Sequence, residues 1–253
     1  MKIAVNLSDA ISSKLKFALP AFIQVILLSS FAAAQVSVPL TIQEMKYPAI
    51  TGVARTSEPV SAGIPLAKGA VPCANASPAS CTGMSSLGLT GATMGQFRCL
   101  AEWEDQSCKW VLVDTQATVA AGAANTGITL TNAGTGNFGG ANLATDNTTA
   151  GTITVDTGAA QFTIRKANFN GLDTVVVGGV TVVASGTSTG LAITGPAPGG
   201  TSCGTCTTTY TSSNDAASTA VIEENGPVRA VVKADGAHKD SAGNTYMRWT
   251  VRL

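Results

Sequence analysis

The chain has 253 residues, a formal net charge of zero and only 12% charged residues, with no Lys/Arg cluster long enough to follow a phosphate backbone, so nucleic acid is excluded as a partner class. Its 45% hydrophobic content, rich in Val and Ile, is too apolar for a disordered chain despite 27 glycines. The length allows one large all-β domain or two ordinary ones, each able to bury a core.

The amino-terminal stretch carries Lys2, Lys14 and Lys16, then the apolar run FALPAFIQVILLSSF, then Ala32, Ala33 and Ala34 as the small residues a signal peptidase reads. This predicts a signal-peptide helix over residues 1–34 with cleavage after Ala34, and export to a secreted or periplasmic location. No membrane span is expected after cleavage. Pro20 and Gln24 interrupt the run, which is shorter than the roughly 20 residues a spanning helix needs.

From residue 35 onward no stretch shows sustained helical periodicity, whereas short β-branched runs bounded by Gly, Asn, Asp and Pro recur to the end. The reading is all-β. VSVPLTI opens the series. Export places the six cysteines in a disulfide-permitting environment, and Cys73 and Cys81 bracket the loop CANASPASC, which a bridge closes at modest entropic cost.

The segment LAEWEDQSCKWVLVD, residues 100–114, concentrates aromatic and charged residues. Phe97, Cys99, Ala101 and Trp103 alternate toward one face before a turn over 104–107 with Asp105 and Gln106 at its tip. A straight ladder then sets Trp103 opposite Cys108, Ala101 opposite Trp110 and Cys99 opposite Leu112. Trp103, Trp110 and the later Trp249 are predicted as core residues. In that register Cys99 and Cys108 are over ~10 Å apart, too far to bridge.

Residues 117–157 are dominated by Thr, Gly, Ala and Asn without a fixed period, which predicts a strand or two joined by long exposed loops. Asn75 and Asn147 sit in glycosylation sequons. Strands are predicted in GITLTN, GTITVD, AQFTIRKA and LAITG. Gly178 and Gly179 between two Val-rich arms predict a type I′ hairpin, and EENGPVRAVV a second hairpin. CGTC at Cys203 to Cys206 lies in a polar Thr-rich loop with no second CxxC, and His238 is the only histidine. A short structural disulfide is therefore predicted there in preference to a redox or metal site. In the last segment Met247, Trp249, Val251 and Leu253 alternate with polar residues up to the terminus, which predicts the front part of a longer polypeptide.

Candidate chemistry is sparse. His238 with Asp235 and Asp240 reads as a turn-rich loop lacking the spacing of a calcium loop, and Arg55 with Glu58 reads as a local ion pair. No nucleotide-binding Gly pattern joins a strand to a helix. The residues thus predict no catalytic, cofactor or metal site.

GVARTSEPVSAGIPLAKG, LAEWEDQSCKWVLVDTQATV, VIEENGPVRAVVKADG and YMRWTVRL, in this order across residues 52–253, resemble the amino-terminal barrel of the exo-rhamnogalacturonan lyases and their YetA-like relatives (polysaccharide lyase family twenty-six type). The resemblance implies a swapped-hairpin (RIFT-type) closed barrel over residues 35–253 with long Gly/Thr-rich loops, truncated at its carboxy-terminal end. It implies a non-catalytic scaffold and carbohydrate-cleft wall of an exported pectin lyase-like protein, to which the exposed loop 132–147 contributes. The lytic chemistry belongs to a helical toroid with no counterpart in the sequence. The implied partners are plant cell-wall polysaccharide and the missing carboxy-terminal domains of the same polypeptide. A stand-alone secreted carbohydrate-binding or surface-interaction module is the alternative. Gln106 stands where the family commonly has Gly, which predicts a wider loop at the hairpin tip.

Overall fold

Period-two burial and β-branched content set the strands, and the computed structural model, which describes residues 35–44, 52–73, 81–198 and 207–253, is all-β. The strands are β1 Ser37–Gln43, β2 Arg55–Pro65, β3 Gly88–Thr90, β4 Gly95–Glu102, β5 Cys108–Val119, β6 Ala124–Thr131, β7 Ala144–Asn147 and β8 Thr152–Asp156. They continue as β9 Ala160–Arg165, β10 Thr174–Val177, β11 Val180–Val183, β12 Ala192–Pro196, β13 Thr207–Thr211, β14 Thr219–Asn225, β15 Ala230–Lys239 and β16 Thr245–Arg252. The predicted leader helix, Ala34, Asn75, Cys203 and Cys206 lie outside the described residues. Among the described residues no helix is long and apolar enough to cross a membrane.

Two clusters of buried side chains divide these strands into two lobes. In the first lobe, sheets β1-β6-β3 and β2-β5-β4 enclose Val71, Leu87, Phe97, Val111, Val113, Ile128 and Leu130. In the second, sheet β11-β10-β9-β8-β7 packs on sheet β12-β13-β15-β14, with β16 on β15, around Ile153, Ile164, Phe169, Val232 and Trp249. The second lobe is a sandwich of two antiparallel sheets.

The predicted closed barrel is not formed by the described residues. The first lobe's strands make two separate three-stranded sheets. An apolar groove of about 450 Å³ runs between β1 and β2, lined by Val38, Leu40, Ile42, Val60 and Ile64. β2 was not legible as a strand because Pro59 interrupts it. Proline is tolerated there because β2 is an edge strand with no ladder donor needed on its free side.

Two hairpins follow local chemistry. Gly178 and Gly179 adopt φ of 56° and 82° between β10 and β11, the left-handed pair a type I′ turn needs. At the tip of the β4–β5 hairpin the loop is tight, not wide. Gln106 donates its N–H to the Trp103 carbonyl (2.9 Å) and Trp103 donates to the Ser107 carbonyl (2.8 Å). Gln106 takes φ 63°, the left-handed position that favours glycine. Asp105 compensates by accepting from the Ser107 N–H (3.1 Å) and Oγ (2.6 Å).

The straight ladder predicted for this hairpin is corrected by irregularities on both strands. Ala101 pairs with Trp110, but Cys99 pairs with Val111 and Glu102 with Cys108, so Leu100 and Lys109 are each skipped. Each extra residue shifts the alternation by one and bends the strand. Cys99, Cys108 and Val111 consequently all point inward, and Cys99 and Cys108 form a disulfide with Cα atoms 5.8 Å apart. The same shift turns Trp110 outward. It is 40% exposed instead of in the core, whereas Trp249 is buried against Phe169 with ring centroids 4.9 Å apart. Trp103 is half-buried, donating Nε1–H to the Leu66 carbonyl at 3.1 Å, with Lys109 Nζ 4.5 Å from its ring. Cys73 and Cys81 are joined, with Cα atoms 4.2 Å apart.

Candidate functional site

The outer face of sheet β2-β5-β4 carries the densest set of polar and aromatic groups. Residues 110, 112 and 114 of β5 share that face by strand alternation. Their neighbours are Ala101 and Pro65 beside Trp110, Arg98 and Gly63 beside Leu112, and Gln96 and Ser61 beside Asp114. At one end Trp110 lies exposed beside Leu100, which is 42% exposed, and both side chains pack close to Gly63. At the other end, about 13 Å along the strand, the face runs into the junction of the two lobes.

Gln96 is fully buried at that junction and uses both ends of its carboxamide. Its Nε2 donates to Glu224 Oε1 and to the Arg229 carbonyl, each at 3.1 Å, and its Oε1 accepts from the N–H groups of Val228 (3.3 Å) and Arg229 (2.9 Å). A Cβ at Gly226 would overlap this carboxamide, so the β14–β15 turn needs glycine there for a packing reason. Around Gln96, Arg229 Nη2 donates to Glu224 Oε2 at 2.6 Å, and its Nε lies 3.6 Å from Asp114 Oδ2. Arg98 Nε lies 3.5 Å from Glu224 Oε2, and Ser61 Oγ donates to Asp114 Oδ1 in a short hydrogen bond. Burial opposes the charge on Arg229, but the hydrogen bond to Glu224 and the attraction of Asp114 and Glu224 outweigh it, raising the guanidinium further above its ordinary value.

This arrangement clamps β4 and β5 of the first lobe to β14 and the β14–β15 turn of the second. Elimination chemistry needs a base that faces the substrate and a cation free to receive developing charge. Asp114 is fully buried and faces the Arg229 guanidinium, and Glu224 is held between Arg98 and Arg229. The cluster holds the two lobes in register.

The other sequence candidates are dispersed. His238 is on β15 opposite Met247, not in a loop, because the strand runs to Lys239 and the turn is made by 240–244. Asp240 organises that turn, accepting from the N–H of Ala242 (3.0 Å) and from the N–H (2.8 Å) and Nδ2 (2.9 Å) of Asn244. Asp235 accepts from Thr250 Oγ1 at 2.6 Å and pairs with Lys233 at 2.9 Å. Arg55 and Glu58 lie 3.7 Å apart on the surface. The sulfurs of Cys73, Cys81 and Cys99 approach within 4.8 Å of one another, but each belongs to a disulfide and is not the thiolate a metal requires. The apolar cleft of about 280 Å³ between the sheets of the second lobe, lined by Val155, Phe162, Ile164 and Leu253, brings no polar groups together.

The segment 132–147, expected to be an exposed carbohydrate-facing loop, keeps many exposed residues, ends in β7 and is anchored to both lobes. Asn137 Oδ1 accepts from the Phe97 N–H (2.9 Å), Phe138 and Gly95 exchange both backbone hydrogen bonds (2.9 and 3.1 Å), and Leu143 donates to the Gly226 carbonyl at 3.1 Å. The junction itself was missed in sequence because Gln96 and Arg229 are 133 residues apart and each reads as an ordinary polar strand residue.

Residues 145–253 match the family model described as the PcRGLX-like protein central beta sandwich domain. The matched stretch coincides with the second lobe and its two facing sheets, and associates it with a central sandwich instead of an amino-terminal barrel. No curated protein matches the chain.

Proposed function

We propose that the chain is a non-catalytic β portion of an exported rhamnogalacturonan lyase-like protein, acting as scaffold and as one wall of its carbohydrate cleft. The family match of the second lobe supports the relationship. In this reading the first lobe is the barrel-type domain preceding the sandwich, and residues 1–34 are its leader. The observation that carries the cleft-wall role is the exposed Trp110, set on the outer face two residues along the strand from Leu112 and its neighbour Arg98. A flat aromatic face stacks on sugar C–H groups, and a half-exposed guanidinium recognises hydroxyl or carboxylate oxygens.

The test uses the purified chain with rhamnogalacturonan oligosaccharides. Saturable binding by calorimetry with no release of unsaturated uronate is expected. Turnover contradicts the non-catalytic part, and absence of binding contradicts the cleft-wall part. The exposed Trp110 and Leu100 pair also favours a second reading, a stand-alone secreted carbohydrate-binding or surface-interaction module. The mass of the mature protein from its natural source separates the two readings.

A further inference from the structure

Four of the six cysteines meet at one place in the first lobe. Cys73, Cys81, Cys99 and Cys108 are all buried, and the sulfurs of Cys73, Cys81 and Cys99 lie within 4.8 Å of one another although they belong to two different bridges. The strap that carries Cys73 is already fixed to the hairpin that carries Cys99 and Cys108. Cys108 donates its N–H to the Val71 carbonyl at 2.8 Å, Cys73 donates to the Gln106 carbonyl at 2.9 Å, and Pro72 bridges to Ser107. A sulfur can therefore change partner by side-chain rotation, with little backbone travel. Carbonyl oxygens face three of the sulfurs: Val71 at 4.0 Å from Cys73, Ala101 at 3.1 Å from Cys99 and Trp110 at 3.2 Å from Cys108. A carbonyl oxygen beside a sulfur raises the energy of its thiolate, so a freed Cys99 thiolate is relieved by closing a new bridge instead of persisting as a metal ligand.

We propose that the two bridges form one thiol–disulfide exchange unit, in which Cys99, once released from Cys108, takes over a sulfur of the Cys73–Cys81 bridge. Local opening of the hairpin admits a dithiol reductant, which attacks the Cys108 sulfur; the Cys99–Cys108 bond breaks, and the electron pair leaves with Cys99. The second thiol of the reductant then releases Cys108 as a thiol and departs as a cyclic disulfide. The Cys99 thiolate attacks Cys81, forming Cys81–Cys99 as the Cys73–Cys81 bond breaks, and Cys73 leaves with the electron pair and takes a proton from solvent. Attack on Cys73 is the mirror case and releases Cys81. One two-electron reduction thus leaves a bridge that joins strap to hairpin, where before each was closed only on itself.

The test places C108S in a C203S/C206S background, so that three cysteines share one bridge. After incubation at mildly alkaline pH and acid quenching, the free thiol is alkylated and located by peptide mass mapping. Exchange predicts label spread over Cys73, Cys81 and Cys99, with roughly a third at each if the pairings are similar in energy. Label confined to Cys99 overturns the proposal. C81S in the same background is the mirror variant, predicting label on Cys99 and Cys108 as well as Cys73. Limited reduction of the wild-type chain tests the same exchange with all four cysteines in place. Crossed Cys81–Cys99 or Cys73–Cys99 peptides are expected, and native pairings alone would contradict it.

Discussion

Among the described residues both disulfides lie in the first lobe, and most buried ion-paired carboxylates lie in the second. In the first lobe one disulfide closes a strap and another staples the central hairpin, while the only ion pair confined to that lobe among the described residues is the surface contact of Arg55 with Glu58. In the second lobe buried aspartates hold turns to strands. Asp215 accepts from the N–H groups of Ala237 (2.8 Å) and Ala217 (3.1 Å) and pairs with Lys239 at 2.8 Å. Asp173 accepts from Asn170 (2.7 Å), Ser185 (2.8 Å) and Gly186 (3.1 Å) and pairs with Arg165 at 2.9 Å. A bridge constrains the unfolded chain whatever the pH, whereas a carboxylate network acts only while ionised. The two lobes are therefore vulnerable to different reagents, and the junction decides how far one lobe's failure spreads to the other.

The largest expected effect comes from removing both bridges. Replacing Cys73, Cys81, Cys99 and Cys108 by serine should cost the first lobe on the order of 5 kcal/mol, since closing each short loop is worth about 2–3 kcal/mol. Hydrogen exchange should show β2, β4 and β5 exposed while β8, β9 and β15 stay protected. Equal loss in both lobes would dissolve the contrast.

Asp215→Ala should follow, at about 3 kcal/mol, because it strands a half-buried lysine and two backbone donors in the second lobe. Acid should act in the same place. Burial opposes ionisation of Asp215, but Lys239 and the N–H groups of Ala237 and Ala217 prevail and hold its carboxyl below the ordinary range. At Asp173 burial is likewise outweighed by Ser185, Asn170, Gly186 and Arg165. Because these values are lowered on folding, the stabilisation is complete above the ordinary carboxylate value of about 3.9 and is lost as pH falls from there through the lower folded-state values. Unfolding followed between pH 5 and 2 by Trp249 burial should begin in the second lobe, and first-lobe protection should outlast it.

Gln96→Ala sharpens the contrast from the junction side. It removes four hydrogen bonds from a buried site and should cost about 2 kcal/mol, separating one thermal transition into two. The smallest effect should be a gain. Gln106→Gly relieves the left-handed strain at the hairpin tip and should add about 0.5 kcal/mol after the entropy glycine carries into the unfolded chain.

Most strands were legible because Val, Ile and Thr alternate between turn residues, and β8 to β11 need nothing beyond that pattern. β13 was hidden because TTTYT carries no hydrophobic alternation of its own; only Tyr210 is buried, stacked on Tyr246 with centroids 5.0 Å apart. The Cys99–Cys108 bridge and the outward face of Trp110 were misjudged for one shared reason. Both depend on skipping Leu100 and Lys109, and nothing in the residue types of that hairpin marks where a ladder gains a residue. The site was the least legible part. Gln96, Asp114, Glu224 and Arg229 converge only through the docking of two lobes, which no local pattern encodes.

The cleft-wall role rests on the outward aromatic face, and the direct measurement is calorimetric titration of rhamnogalacturonan oligosaccharides into the wild-type chain and Trp110→Ala. Trp110 is 40% exposed and buries the rest of its ring, so its removal should lower the melting temperature, and at a temperature where both proteins are folded the affinity should fall roughly tenfold, the equivalent of about 1.4 kcal/mol of lost stacking. Undiminished affinity in the folded variant would contradict the account.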